Sequence, residues 1–335
     1  MARARKAAGK RGDTVPGVHL DFEKPLLELE QKIEELKQSA DAADLNVHRE
    51  VASLEQRAEE MRRQIFSSLT RYQRVQLARH PRRPYMLDYV RMMTTGWLEL
   101  FGDRGFADDK ALVGGFAWLD GRPILIIGNQ KGRDTKENLI RRFGMANPEG
   151  YRKALRLMEL AARFGVPVLT LVDTAGAYPG IGAEERGQAE AIARNLREMA
   201  SLPVPLVTVV TGEGGSGGAL AIAMGDVVIM LENSIYSVIS PEGCASILWR
   251  DRSRNVQAAD ALRLAAEDLL RLRVVDEVLP EPMGGAHRDP EAAAATVKQA
   301  VIRHFDRLSA LDPREILAGR RRKYRALGVY TSGTS

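Results

Sequence analysis

Two apolar runs, each followed at once by a glycine-rich turn and a helical pattern, constrain the fold of this chain more than any other feature. The first run covers residues 168–172 and leads into Asp-Thr-Ala-Gly-Ala-Tyr-Pro-Gly-Ile-Gly-Ala-Glu-Glu at 173–185. The second covers residues 206–211 and leads into Gly-Glu-Gly-Gly-Ser-Gly-Gly-Ala-Leu at 212–220. Short apolar runs of this kind are typical of parallel strands that are buried on both faces. The repeated order of strand, turn and helix therefore predicts an α/β fold with ligands at the carboxyl ends of the strands.

The segments around these turns continue the alternation of strands and helices. Residues 113–118 and 123–127 flank an Asp-Gly pair, which is a strong signal for a β-hairpin. A helix is predicted over residues 148–163, because a proline suits its first turn and a glycine follows its end. The other predicted elements are a helix over about 184–200, strands over 227–231 and 236–239, and a helix that begins at 241.

Both ends of the chain carry helical patterns. Between residues 21 and 70 apolar residues recur three or four positions apart in two arms, and a small, polar stretch separates the arms. This pattern predicts an antiparallel hairpin whose apolar seam is covered by other parts of the protein or by a partner. The predicted segments are a basic disordered tail at 1–20, the helical hairpin at 21–81, the α/β domain at 82–290, and a helical segment with a basic end at 291–335.

The composition argues against several classes of protein. The chain has no apolar run long enough to span a membrane, and its basic N-terminus lacks the apolar segment of a secretion signal. The single cysteine, Cys244, rules out a disulfide framework, and the five histidines leave little material for a metal centre. We therefore expect a soluble, cytoplasmic protein that carries no metal of its own.

The net charge of +5 comes from 49 Lys and Arg against 44 Asp and Glu, and much of the excess lies at the two ends. It represents either solvated surface charge or a docking face for an acidic partner or an anionic substrate. The middle of the chain has no basic stripe interleaved with aromatic residues, which argues against nucleic-acid binding as the main role.

The second glycine-rich turn can be compared with three common motifs. Its Gly-x-Gly-x-x-Gly spacing resembles a dinucleotide fingerprint, but the helix that follows is too short and the turn lies too far along the α/β region. It fails as a phosphate-binding loop because Gly218 stands where the lysine is required. As Gly-x-Ser-x-Gly it matches a nucleophile elbow around Ser216, with His287 and His304 as the histidines later in the chain. A serine hydrolase is therefore the alternative enzyme hypothesis.

A fourth interpretation uses the backbone of the same turn. At a helix N-terminus the N–H groups of Gly217 and Gly218 lack intrahelical partners and lie in the positive potential of the helix dipole. They could form an oxyanion hole, because no Cβ hinders a substrate oxygen. Close helix–strand packing alone accounts for about two of the five glycines. The residues predicted to line a substrate are Gly176, Ala177, Tyr178, Gly180, Gly182, Gly214, Gly215 and Ser216.

Long stretches of the chain resemble the alpha subunit of the bacterial acetyl-CoA carboxylase carboxyltransferase. The two turns carry the resemblance, together with Tyr-Ser-Val-Ile-Ser-Pro-Glu-Gly-Cys-Ala-Ser-Ile-Leu-Trp at 236–249 and Pro-Glu-Gly-Tyr-Arg-Lys-Ala-Leu-Arg at 148–156. Matching strings span about residues 21–288 in the order of the family. One departure is Ala175, where the family usually has proline.

This resemblance implies a crotonase-like (ClpP/crotonase) spiral of strand–strand–helix units preceded by a helical hairpin. It also implies carboxyl transfer from N1-carboxybiotin to acetyl-CoA, which forms malonyl-CoA in the first committed step of fatty acid biosynthesis. In the family the alpha chain is expected to hold the biotin ureido oxygen, here with the N–H groups of Gly217 and Gly218. Lys131 and Arg133 are further candidates, for CoA phosphates or for the carboxylate of carboxybiotin.

The resemblance also implies that this chain works with others. Biotin is expected on a separate carrier protein, since the chain has no Met-Lys-Met biotinylation site, and no ATP or metal site is expected here. The implied partners are a homologous zinc-bearing beta subunit, which supplies the hole for the thioester, the biotin carboxyl carrier protein and biotin carboxylase. An α2β2 assembly is expected. A non-catalytic scaffold is the remaining alternative.

Overall fold

The computed structural model describes residues 20–39 and 45–328. The chain divides into two compact units, residues 1–58 and 59–335. The predicted basic tail lies, apart from Leu20, outside the described residues. None of the described helices is long and apolar enough to cross a membrane.

The first unit contains the two arms of the predicted helical hairpin. Helix α1 covers Lys24–Ser39, after a short 3-10 turn, and helix α2 covers Leu45–Ser67, so that it continues into the second unit. Lys37 on the first arm pairs with Glu55 on the second at 2.6 Å, as expected for antiparallel arms. The boundaries of 21–81 for a separate hairpin domain remain a prediction.

The second unit contains the α/β region. Its strands are β1 Thr95–Glu99, β2 Leu112–Leu119, β3 Arg122–Asn129, β4 Val168–Thr174, β5 Leu206–Gly215, β6 Val227–Leu231, β7 Ile235–Ser237 and β8 Glu277–Leu279. Its helices are α3 Arg71–Ala78, α4 Met86–Met93, α5 Thr135–Ile140, α6 Pro148–Arg163, α7 Ile181–Glu185, α8 Gln188–Met199, α9 Ser216–Leu220, α10 Pro241–Trp249, α11 Asn255–Leu262, α12 Ala266–Arg271, α13 Pro290–Ser309 and α14 Pro313–Arg325.

The strands form one mixed sheet in the order β1-β2-β3-β4-β5-β6-β8, with β7 paired to the end of β5. β1, β2 and β3 are antiparallel, whereas β3, β4, β5, β6 and β8 are parallel. The predicted hairpin is confirmed, and both of its turn residues, Asp120 and Gly121, have positive φ values of 47° and 80°. That geometry suits the twist of the flanking strands.

Helices cover both faces of this sheet. Along β3, Leu125 and Ile127 pack in the core with α6 and α8, whereas Ile124 and Ile126 pack in a second core with α4 and α13. β4 and β5 alternate in the same way. The apolar runs are continuous because each strand is buried on both sides. The α/β class predicted from those runs is confirmed.

Several element boundaries differ from the predictions. β4 and β5 extend past 172 and 211, because Thr174 pairs with Gly214 and the end of β5 pairs with β7. The helix predicted over 184–200 is divided into α7 and α8 at Gly187, whose φ is 80°. The expected short basic end contains α14, a helix of 13 residues. Strand pairing across the fold decided the ends of β4 and β5, and local sequence does not report such pairing.

Candidate active site

The carboxyl ends of three neighbouring parallel strands bring together charged side chains. Lys131, just after β3, places its Nζ 2.6 Å from Oδ1 of Asp173 on β4. The same oxygen accepts a hydrogen bond of 3.0 Å from the N–H of Glu213 on β5. Arg79, just after α3, donates to the Glu213 carboxylate at 2.7 and 2.9 Å, and to Glu242 at 2.9 Å. These contacts form an ionic chain that ties together the strand ends from which the two glycine-rich turns leave.

The electrostatics of this ionic chain keep its two cations, Lys131 and Arg79, in their charged forms. Burial disfavours the ammonium of Lys131, but the negative charges of Asp173 and Glu213 outweigh it and raise its pKa above the ordinary value. Burial likewise opposes the charge of Arg79, and the Glu213 and Glu242 carboxylates together raise the pKa of that guanidinium. The ammonium group of Lys131 is thus paired with carboxylates of the protein itself.

Arg133, the other cation predicted to meet substrate, is also held by the protein. Its guanidinium lies 3.9 Å above the ring of Tyr85 and donates to the carbonyls of Pro81 and Arg83, each at 2.9 Å. It also forms an ion pair with Asp88. Substrate binding by Lys131 or Arg133 stays a prediction.

The two glycine-rich turns pack directly against each other. A Cβ added to Gly218 would lie 2.2 Å from the carbonyl carbon of Gly176, and one added to Gly215 would lie 2.1 Å from the carbonyl oxygen of Ala175. A Cβ at Gly214 would lie 2.9 Å from the ring of Tyr236. A Cβ at Gly212 would likewise lie 2.5 Å from Oδ1 of Asp173, so four of the five glycines serve close packing, two more than expected from the sequence.

The first residues of helix α9 differ from the packed glycines in their exposure, backbone conformation and hydrogen bonding. Ser216 is exposed and has a φ of 50°, which is uncommon for a residue with a side chain. Within residues 20–39 and 45–328, no group accepts a hydrogen bond from the N–H of Gly217 or Gly218. Gly217 is half-buried, whereas Gly218 is buried against the neighbouring turn.

A cavity of about 360 Å³ opens beside these residues. Its lining residues are Ser216, Gly217, Leu220, Tyr236, Ser237, Val238, Leu262, Leu269 and Val274. Burial raises the pKa of Tyr236 to about 12, so its hydroxyl stays protonated at neutral pH. A mostly apolar cavity with two unpaired backbone donors at α9 can accept a group whose oxygen gains negative charge.

The turn after β4 is held mainly by its own side chains and by neighbouring loops. Thr174 Oγ1 donates to the carbonyl of Gly176 at 2.8 Å, and the N–H of Tyr178 donates to the carbonyl of Ala146 at 3.0 Å. The position of a Cβ at Gly176 is open, with nothing within 4 Å. Gly180 and Gly182 lie further along, at the start of α7. Among the predicted lining residues of this turn, the structure brings Gly176 and Ala177 against Gly218.

Sequence analysis missed the charged residues that support these turns. Arg83 and Glu281 form a buried, two-pronged ion pair at 2.7 and 2.9 Å, and Arg83 also donates to the carbonyl of Thr211 at 2.7 Å. Asp173 and Glu213 follow strand ends closely, so their positions were visible in the sequence. Their partners come from distant segments and left no local signal.

Neither of the two candidate histidines, His287 and His304, forms a catalytic arrangement with Ser216. His304 lies 2.6 Å from the Glu277 carboxylate, and the ring of His287 stacks on His80 at 3.9 Å. Burial, together with the charges of His80 and Arg83, lowers the pKa of His287 to about 2. The serine-hydrolase alternative is not supported.

Comparison with known proteins identifies the family. The model of the family described as acetyl co-enzyme A carboxylase carboxyltransferase-like matches residues 19–328. A relative from Geobacter metallireducens, named acetyl-coenzyme A carboxylase carboxyl transferase subunit alpha, is 61% identical over 313 residues, which are 93% of this chain and 98% of the relative. A relative of the same name from Thermus thermophilus is 54% identical over 311 residues, again 93% and 98%.

Solved structures share the fold at low sequence identity. Transcarboxylase 12S aligns with a TM-score of 0.52 and 19% identity over 76% of this chain and 44% of its own. The beta subunit of geranyl-CoA carboxylase from P. aeruginosa aligns with a TM-score of 0.51 and 17% identity over 76% of this chain and 45% of its own. These neighbours confirm the crotonase-like fold class. The chain belongs to the acetyl-CoA carboxylase carboxyltransferase family, among the relatives named as its alpha subunit.

Proposed function

We propose that this chain is the alpha subunit of an acetyl-CoA carboxylase carboxyltransferase, and that the start of α9 holds the biotin that delivers the carboxyl group. Carboxyl transfer is the activity in the names of its relatives, which it covers almost end to end. The acceptor is acetyl-CoA and the product is malonyl-CoA.

The observation that carries this proposal is the pair of unpaired N–H groups beside an apolar cavity. Biotin, when bound, supplies an activated carboxyl group and a ureido oxygen that becomes negative as that group leaves. The N–H groups of Gly217 and Gly218 donate hydrogen bonds to this oxygen. In a site from which water is excluded, one such donor contributes about 3 kcal/mol to transition-state stabilisation.

Other residues hold these donors in position and keep the cavity dry. The side chains of Leu220, Val238 and Leu262 line its apolar wall. The ionic chain from Lys131 to Arg79 fixes the ends of β4 and β5, so that the two turns keep their contact. This scheme assigns no side-chain base, because bound biotin would also supply the acceptor for the acetyl-CoA proton.

The partners follow from the chemistry and from the lengths of the structural neighbours. Carboxyl transfer would place negative charge on two oxygens, one of bound biotin and one of the thioester, and in the described part of this chain Gly217 and Gly218 would hold one of them. Transcarboxylase 12S and the geranyl-CoA carboxylase beta subunit are each about twice as long as the part of them that aligns with this chain. As the family resemblance implies, a homologous, zinc-bearing beta subunit supplies the second hole in an α2β2 assembly. The biotin carboxyl carrier protein brings the biotin, and biotin carboxylase uses the ATP.

A carboxyltransferase assay tests this proposal. The reverse reaction, malonyl-CoA plus free biotin giving acetyl-CoA, is measured with this chain alone, with a cognate beta subunit alone, and with the mixture. Activity in the mixture only is expected. Activity from this chain alone would contradict the split site, and no activity in any sample would favour the scaffold hypothesis.

A further inference from the structure

The basic C-terminal helix α14 contacts the segment that follows α9. We propose that α14 positions the turn that carries Gly217 and Gly218, here called the oxyanion turn, and that it acts through Arg320, Lys323 and Tyr324. This inference rests on the proposed function. In the sequence these residues belong to a basic run that was interpreted as solvated charge or as a docking face.

Arg320 is the anchor of this contact. Its side chain is fully buried, and its guanidinium forms a two-pronged ion pair with Asp226 at 2.7 and 2.8 Å. The remaining donors go to the carbonyls of Met199, Leu202 and Val204, at 2.5 to 2.9 Å. All five guanidinium N–H groups are therefore used, which is how a buried arginine is tolerated.

Asp226 connects this anchor to the sheet. Its Oδ2, which Arg320 contacts, also accepts a hydrogen bond of 2.8 Å from the N–H of Leu206, the first residue of β5. Asp226 directly precedes β6, which pairs with β5. The carboxylate of Asp226, the residue before β6, thus joins the start of β5 to helix α14.

Tyr324 and Lys323 reach the segment between α9 and β6. The Tyr324 hydroxyl lies 3.0 Å from the carbonyl of Gly225 and 3.2 Å from that of Ala223. Lys323 Nζ lies 3.3 Å from the carbonyls of Gly225 and Asp226 and forms an ion pair with Asp276. Three side chains of the basic run therefore face the protein.

Backbone hydrogen bonds continue from this segment into the oxyanion turn. The N–H of Ala223 donates to Leu220 at 3.1 Å, and the N–H of Ala221 donates to Gly217 at 3.0 Å. Asn195 on α8 holds the Ala221 carbonyl from the other side, at 3.2 Å. Helix α9 has only five residues, and isolated helices of that length are unstable. Its position therefore depends on contacts such as those from α14.

The test uses Tyr324→Phe, which removes only the hydroxyl that binds these carbonyls. The matched control is Arg321→Ala, an exposed residue on the same helix. Amide hydrogen exchange of Ala221 and Ala223 is measured in the full chain, and kcat and KM for acetyl-CoA are measured in the mixture with the beta subunit. We expect exchange at these two amides to rise, and kcat to fall, each about fivefold, with KM nearly unchanged, because one hydrogen bond is lost.

The two measurements separate this inference from the proposed function. If Tyr324→Phe behaves like Arg321→Ala in both, or if exchange rises equally throughout the chain, α14 has only a structural role and the inference is wrong. If the wild-type mixture shows no carboxyltransferase activity, the proposed function fails, and the exchange data alone decide whether α14 positions the turn.

Discussion

The two glycine-rich turns look alike in the sequence but use their glycines differently. In the turn after β5, Gly214, Gly215 and Gly218 lie where a Cβ would collide with atoms of the facing segment. In the turn after β4, the Cβ position of Gly176 is open, and a Cβ at Gly180 would meet only the ring of Tyr178 in the same turn. The first turn needs glycine because two backbones approach each other closely, whereas nothing packs against the Cβ position of Gly176 in the second.

The same contrast exists between adjacent residues of α9. A Cβ at Gly218 would meet backbone atoms, which cannot move aside, but a Cβ at Gly217 would lie 3.4 Å from the side chain of Ile192, an ordinary contact. Both N–H groups are unpaired in the described part of the chain. A substitution at Gly217 can therefore test oxyanion binding without disturbing the packing of the two turns, whereas a substitution at Gly218 would change both.

The largest effect is expected for Gly218→Val. The side chain would push the two turns apart, so kcat in the mixture with the beta subunit should fall by about 10²-fold or more, and Tm by about 5 °C. Gly217→Ala is the matched control, with Tm nearly unchanged and only a modest loss of kcat. A Gly218→Val variant with normal Tm and kcat would show that the turns do not need this contact.

The ionic chain beneath the turns can be broken at Lys131. Lys131→Met leaves the buried Asp173 carboxylate without its cation, so the free energy of unfolding should fall by about 3–5 kcal/mol in denaturant titrations. Arg133→Met, in the same loop but more exposed, should cost about 1 kcal/mol. If Arg133→Met instead raises KM for acetyl-CoA at unchanged stability, its predicted role in binding substrate is supported.

The free energy of unfolding should also depend on pH through His287. His287 is held neutral in the fold, with a pKa lowered to about 2, whereas its ordinary value is 6.5. Its contribution to stability is complete above pH 6.5 and is lost as the pH falls toward the folded value. Lowering the pH from 6.5 to about 5 should therefore reduce the free energy of unfolding by about 2 kcal/mol. His287→Gln should remove this part of the pH dependence of unfolding, and equal pH profiles would contradict it.

The smallest effect is expected for Ser216→Ala. The hydroxyl is exposed, and the backbone donors survive the change, so kcat for carboxyl transfer should stay within about threefold of wild type. A serine hydrolase would lose its activity completely. Loss of carboxyl transfer in a folded Ser216→Ala variant would show that the side chain of Ser216, and not only the backbone, acts in the reaction.

Parts of the candidate site could be predicted from sequence and parts could not. The turn at α9 was recognisable because a strand, a glycine-rich link and a helix leave local signals. The contact between Gly218 and the other turn left none, because it joins residues about 40 positions apart. The same holds for Lys131 and Asp173, whose pairing joins residues 42 positions apart.

By itself, the sequence determined six of the eight described strands, many of the helices, the hairpin turn and the place of the glycine-rich links. These depend on periodicity, proline, glycine and turn residues, whose effects act over a few positions. Only the tertiary structure decided which charges are neutralised, which glycines are needed for packing, and that the basic end folds back as α14. Arg79 and Glu213 are 134 residues apart, and Arg320 and Asp226 are 94 apart. Such pairs form only when the sheet has brought its strand ends together, so no local pattern encodes them.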